Sequence, residues 1–227
     1  MEAIERFPAF EAFEAFLARP GPWIGGFDFP FGLPRELVRD LAWPLEWKAL
    51  VRHCRRLPRS QFRETLDAYR ATRPAGRKYA HRATDLPAGS SSPMKLVNPP
   101  VALMFHEGAP RLLAAGVHVP GLAEGDRSRI ALEAYPGLLA RSIAGRASYK
   151  NDAPAKQTAQ RRQVRANIVA SVEAAIPRPL KMRLVDDPTG DALDAVLCAV
   201  QAARAAGTPN FGLPRNVISC EGWIVTA

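Results

Sequence analysis

Between Ile24 and Pro34 the chain reads Ile-Gly-Gly-Phe-Asp-Phe-Pro-Phe-Gly-Leu-Pro. An apolar run is stopped by one carboxylate and then by turn residues, which places Asp28 at the end of a buried strand. Ligands and catalytic groups of open α/β sheets gather just beyond the carboxyl ends of strands, where side chains can converge. Asp, Pro and Gly are also ordinary turn residues. Asp28 therefore gains weight as a site only if the arrangement recurs.

It does recur. Ile130-Ala-Leu-Glu-Ala-Tyr-Pro reads as a second core strand with Glu133 near its end and a proline just beyond, followed by a short helix over 137–143. Around these strands the pattern predicts a helix over 8–19, with Phe10, Phe13 and Leu17 at helical spacing, a strand over 22–28, and a helix opened by Pro34 and running to residue 40. An apolar helix follows Pro100 to about residue 106, breaks at Gly108 and Pro110, and resumes to residue 115. Val117 to Val119 reads as a short strand. A polar connector carrying Tyr149, Lys150 and Lys156 leads into a helix over about 154–175, which Pro177 and Pro179 stop. Further strands are expected over 180–185 and 222–226.

A late helix, with Asp187 as cap and Pro188 in its first position, adds the third element. Leu193, Val196, Leu197 and Val200 form its core stripe, and a second flank is alanine. Asp191 and Asp194 stand about 60° apart on one side, the usual neighbour spacing. Carboxylates on a helix covered on several sides need a partner or a cation. Asp191 also complements the positive helix start, an explanation that serves Asp194 less well. Hard divalent cations take oxygen ligands from such separated sources. A two-metal site on Asp28, Glu133 and Asp194 would suit phosphodiester cleavage with Mg²⁺ or Mn²⁺, with Asp191 as a fourth acid of the site. No phosphate-binding glycine loop, nucleophile elbow or zinc-protease motif competes.

Charge bears on the partner. The net charge is +9, and between Arg35 and Lys95 fourteen Lys/Arg face six Asp/Glu, so nearly all the excess lies in one segment. That segment also holds Trp43, Trp47, Phe62, Tyr69 and Tyr79, and basic surface with interleaved aromatics suits a nucleic acid. Arg77, Lys78 and Arg82 within it, together with Lys150, are the expected phosphate contacts. Solvated basic helices with core aromatics are the competing reading. Three widely spaced cysteines (Cys54, Cys198, Cys220) support neither a disulfide framework nor a zinc ribbon, and His53, Cys54 and His81 read as helix packing rather than a metal site. No apolar stretch is long enough to span a bilayer and the first residues are acidic, so a cytoplasmic location is expected.

Gly-Phe-Asp-Phe-Pro-Phe-Gly-Leu-Pro, Glu-Ala-Tyr-Pro-Gly, Asp-Ala-Leu-Asp-Ala-Val-Leu-Cys-Ala and, at 221–224, Glu-Gly-Trp-Ile occur in that order. As an ordered set from Trp23 onward they resemble domain of unknown function 429, a family regarded as similar to ribonuclease H-like nucleases. The wider superfamily includes actin-like and sugar-kinase ATPases. The resemblance implies one α/β domain over 1–227, a ribonuclease H-like mixed sheet flanked by helices, with Asp28, Glu133 and Asp191 or Asp194 in the acidic site. The basic stretch of about 35–95 reads as a helical insertion. Such a sheet opens with three antiparallel strands, the first carrying an aspartate, for which there is no room before Ile24. A reading frame that starts too late is the expected cause, and an impaired metal-dependent nuclease the expected result. The alternatives are a non-catalytic nucleic-acid-binding or partner-binding protein and a phosphotransferase or ATPase. The oligomeric state is left open.

Overall fold

The chain alternates short strands with long helical stretches, the pattern of a parallel sheet with crossover helices. A computed structural model describes residues 3–172 and 174–227. It contains a small open parallel sheet of three strands, β1 (Trp23–Phe27), β2 (Val117–His118) and β3 (Asp126–Glu133), in the order β1-β3-β2. The expected mixed sheet is thus purely parallel among the described residues, where β1 and β2 both run alongside β3. Among the described residues ten α-helices surround it: α1 (Phe10–Leu17), α2 (Arg35–Asp40), α3 (Trp47–Arg56), α4 (Arg59–Thr72), α5 (Asp85–Ala88), α6 (Val101–Ala115), α7 (Pro136–Ala144), α8 (Ala159–Ser171), α9 (Arg178–Asp186) and α10 (Asp191–Ala206). No described helix is long and apolar enough to cross a membrane.

Strand alternation divides the interior in two. On one face Trp23, Phe27 and Ala131 meet the largest core, built with Leu37, Trp47, Leu50, Phe62 and Phe105. Helices α2 to α4 therefore supply the principal core rather than standing beside it. Trp47 and Phe62 are fully buried and Tyr69 nearly so, which corrects the expectation that they interleave with the basic residues as a stacking surface. Cys54 is buried among them, and His53 packs on Trp43. On the other face Ile130 and Leu132 pack beneath α10, while α7 to α10 close a second core of their own.

Contact between α10 and β1 is unusually close. A Cβ at Gly26 would stand 2.3 Å from the Cys198 carbonyl oxygen, so only glycine lets the helix backbone lie on the strand. Gly32 serves the C-terminal turn in the same way, 2.2 Å from the Cys220 carbonyl oxygen by the same construction.

Several boundaries differ from the sequence expectation, each for a local reason. Helix α6 continues through Gly108 and Pro110, where the proline is buried beside Ala109 and Leu112, so that packing offsets the lost hydrogen bond and the crowding of its ring. Residues 180–185 form α9 instead of a strand, since Pro177 and Pro179 occupy the cap and first turn, where proline fits a helix start. Helix α8 begins at Ala159, where Thr158 accepts the Arg161 N–H, and position 173 of its expected extent lies outside the described residues. The expected strand over 222–226 is a turn that makes one parallel bridge, Glu133 to Ile224. Helix α10 starts three residues after Pro188, because Gly190 at its cap is left-handed.

Replacing Gly26 by alanine is expected to cost about 1–3 kcal/mol by forcing α10 off the strand. Chemical denaturation measures it directly, and an unchanged midpoint would contradict the close packing.

Candidate acidic site between two cavities

The register of the sheet decides where the strand-end acids go. Phe27 pairs with Glu133, so these two share a face, and Asp28, one residue further on, turns to the opposite one. Asp28 thereby lies on the α10 side with Asp194, whereas Glu133 lies on the side of the larger core. Two acids that look equivalent in sequence have different surroundings.

On the α10 side, Asp194 is buried and both its oxygens are engaged. The Tyr149 hydroxyl donates to Oδ1 at 2.5 Å and the Lys150 ammonium to Oδ2. The connector bearing these two residues is pinned from below by the buried Arg165 of α8, which donates to the Tyr149 carbonyl at 2.7 Å and the Val185 carbonyl at 2.8 Å. Asp187 holds the start of α10, accepting the Ala192 N–H at 3.0 Å. Asp191 is exposed at the mouth and accepts from the Thr189 hydroxyl at 3.1 Å.

No hydrogen bond or ion pair reaches the Asp28 carboxyl among the described residues. Burial, and next the neighbouring Asp194, push its pKa from the usual carboxylate range to about 7. Glu133 and Asp191 add to the rise, and only Lys150 opposes it. Burial raises Asp194 as well, against the pull of Lys150 and Tyr149. Burial would lower the Lys150 ammonium, but Asp194, with Asp28 and Asp191, more than reverses this. The cluster carries more negative than positive groups, and Asp28 is its uncompensated member.

Glu133 is spoken for. Arg82, 2% exposed, donates to Oε1 at 2.7 Å and to Oε2 at 2.9 Å, and the Phe31 N–H adds a third bond to Oε2 at 2.9 Å. The remaining Arg82 donors reach Asp85 Oδ1, twice, and the Glu221 carbonyl. Burial raises the Glu133 carboxyl while Arg82 draws it down. Glu133 and Arg82, expected as a metal ligand and a phosphate contact, are instead bound to each other. Arg77 and Lys78 sit on the exposed turn after α4 and line neither cavity described below.

Two cavities meet at the acids. One of about 520 Å³ is bordered by Tyr149, Lys150, Arg141 and Glu133. The other, about 580 Å³, runs along β1 between α1, α6 and α10. Asp28, Asp191 and Asp194 border both. Among the described residues no three His, Cys, Asp or Glu side chains form a ready metal centre. The donors nonetheless suit a hard cation that takes one or two carboxylates and leaves its other positions to water and phosphate. Two metals held by three acids, as expected from the sequence, would need Glu133, whose oxygens are taken.

The sequence suggests no role for Asp85, Arg165 or Tyr149, and marks Glu221 only as part of the Glu-Gly-Trp-Ile segment. Arg82 and Asp85 stand three residues apart, a local spacing that could have suggested their pairing. Nothing local signals Glu221, whose carboxylate accepts the Arg35 N–H at 2.7 Å and the Ala83 N–H at 2.8 Å from across the chain.

The family described as "Protein of unknown function (DUF429)" matches residues 3–214. No curated protein and no solved structure matches the chain.

Two measurements test these environments. Replacing Arg82 by methionine strands Glu133 and Asp85 and should cost about 3–5 kcal/mol of folding free energy. For Asp28, a folded pKa raised to about 7 means stability is full below the unfolded value near 4 and is lost as pH rises towards 7. Asp28→Asn should therefore melt above the wild type at pH 8, by about 2–4 kcal/mol after allowing for partial exposure. The gap should close near pH 4, and a less stable variant at pH 8 would contradict the assignment.

Proposed function

Because the chain belongs to the DUF429 family, whose description names no reaction, its activity has to be read from the acidic site. We propose that it hydrolyses phosphodiester bonds of nucleic acid with Mg²⁺ or Mn²⁺, on an α/β scaffold of ribonuclease H-like type. The observation that carries this reading is the Asp28 carboxyl, without a hydrogen-bond partner among the described residues and set beside Asp194 and Asp191 on the border of two cavities. A cation is the simplest group to relieve that repulsion.

Asp28 and Asp194 would hold the ion, with Asp191 at the mouth. A bound Mg²⁺ supplies Lewis-acid stabilisation of the charge that builds on the phosphate. Lys150 turns from Asp194 to a non-bridging phosphate oxygen, offering a charge-assisted hydrogen bond. Tyr149 goes on donating to Asp194 and fixes the orientation of its carboxylate, as outer hydrogen bonds do for metal ligands. Arg165 keeps Tyr149 and Lys150 in place from beneath. Glu133 takes no part in binding the ion and fixes the end of β3.

One observation favours a second reading. Lys150 forms an ion pair with Asp194, which supplies that acid with a counter-charge from the chain itself, as would suit a protein that binds nucleic acid without cutting it.

Cleavage of labelled single-stranded and duplex DNA and RNA, with Mg²⁺, Mn²⁺ or chelator, separates the two. We expect divalent-dependent cleavage that Asp28→Asn and Asp194→Asn each reduce about 10²-fold or more, the scale of losing one positioned catalytic group. Activity should rise with pH to a plateau above about 7, because the ion and the Asp28 proton compete. Cleavage indifferent to chelator, or intact in Asp28→Asn, would overturn this site. Salt-sensitive binding without cleavage would decide for the binding protein.

A further inference from the structure

We infer that the nucleic acid is taken as a single strand, guided by an arginine ridge on α3 and α4 and lodging an unpaired base in the apolar cavity beside β1. The inference starts from the surface of α3. Trp47, Leu50, Val51 and Cys54 are its buried stripe, and at 100° per residue Arg52, Arg55 and Arg56 fall together on the opposite side. Only Leu57 and Pro58 separate them from Arg59, the first residue of α4, with Arg63 one turn on. Arg52, Arg55, Arg56 and Arg59 are exposed. Among the described residues no carboxylate comes within 4 Å of Arg52, Arg55, Arg56 or Arg63, and Arg59 makes one contact, at 4.0 Å to Glu107. Surface cations left unneutralised along consecutive turns form a track for a polyanion.

The ridge ends at the second cavity, because Arg59 and Glu107 both line it. Beyond them its walls are Phe10, Phe13, Phe27 and Phe29, with Leu103 and Met104 of α6. Phe10 is 48% exposed, and the Arg111 guanidinium lies 3.6 Å from its ring centroid. The half-buried Asp28 and the buried Asp194 line its inner end, with the exposed Asp191 beside them at the mouth. Basic track, aromatic chamber and acidic site thus follow one another. Aromatic walls of this kind stack bases of any sequence. Bases inside a duplex are stacked on each other and cannot enter without being flipped out. Of the aromatics in the basic segment itself, Trp47, Phe62 and Tyr69 cannot do this work, since they are in the core, and neither Trp43 nor Tyr79 lines this cavity.

This inference rests on the nuclease reading only for what happens at the inner end, so binding can be tested apart from cleavage. The measurement is fluorescence anisotropy in chelator, using a labelled oligothymidine of about 20 nucleotides and a blunt duplex of the same length. We expect tighter binding of the oligothymidine. The triple variant Arg52→Ala/Arg55→Ala/Arg56→Ala should lower the slope of log affinity against log salt by about 2, at about 0.7 per phosphate contact for single strands. Ala195→Trp fills the cavity from an exposed position on α10. It should weaken the oligothymidine about ten-fold or more while leaving the duplex little changed. Duplex binding as tight as oligothymidine binding, or an oligothymidine affinity that none of these variants alters, would overturn the proposal. Such a failure would leave divalent-dependent cleavage at Asp28 standing, and absent cleavage would leave this surface standing.

Discussion

Arg82 spends every N–H of its guanidinium inside the protein, on Glu133 at the end of β3, on Asp85 at the start of α5 and on the Glu221 carbonyl in the C-terminal turn. Three distant parts of the chain meet on one side chain. The Glu221 carboxylate extends the junction to the start of α2, and Ile224 donates its N–H to the Thr84 hydroxyl at 3.0 Å. Buried ion pairs contribute little net stability against well-packed apolar side chains, yet breaking one leaves a charge without water or partner. The junction thus acts mainly as a specification: the loop after β1, the segment before α5 and the C-terminal turn have one arrangement that satisfies all its donors.

That arrangement frees Asp28. Since Phe27 pairs with Glu133, alternation sends the two strand-end acids to opposite faces, Glu133 into the Arg82 network at the edge of one cavity and Asp28 to the border of both. The close seating of α10 on Gly26 then brings Asp194 to the same cavity. A shift of one residue in register would turn both acids to the same face, so the pairing of β1 with β3 is what separates them.

Much of this framework is legible in the chain because the signals are local. The end of β1 at a carboxylate, the proline openings of α2 and α7 and the apolar stripe of α10 are all short-range patterns, and each corresponds to an observed element. What escapes is long-range or depends on context. Arg82 and Glu133 lie 51 positions apart, and no periodicity marks them as partners. Leu180 to Val185 has the apolar content of a strand, but the prolines before it form the first turn of a helix. Trp47, Phe62 and Tyr69 share a segment with fourteen basic residues, and only the helical phase shows that they face inward. Composition located the positive charge correctly and said nothing about which side of each helix carried it.

The charge balance of the acidic cluster links its chemistry to its stability. Among the described residues Asp28, Asp191 and Asp194 share one nearby ammonium, that of Lys150, and no N–H reaches the Asp28 carboxyl. A buried carboxylate in that position has two ways to lower its free energy: it can take up a proton, as its pKa near 7 expresses, or it can bind a cation. Close to neutrality the two compete for the same oxygens. Any ion bound there must release the proton, so the repulsion that weakens the fold above pH 7 is the same repulsion that favours a cation. Stability lost at Asp28 is in this sense affinity held in reserve, and the Arg82 junction on the other face of the sheet keeps the strand ends in place while that strain persists.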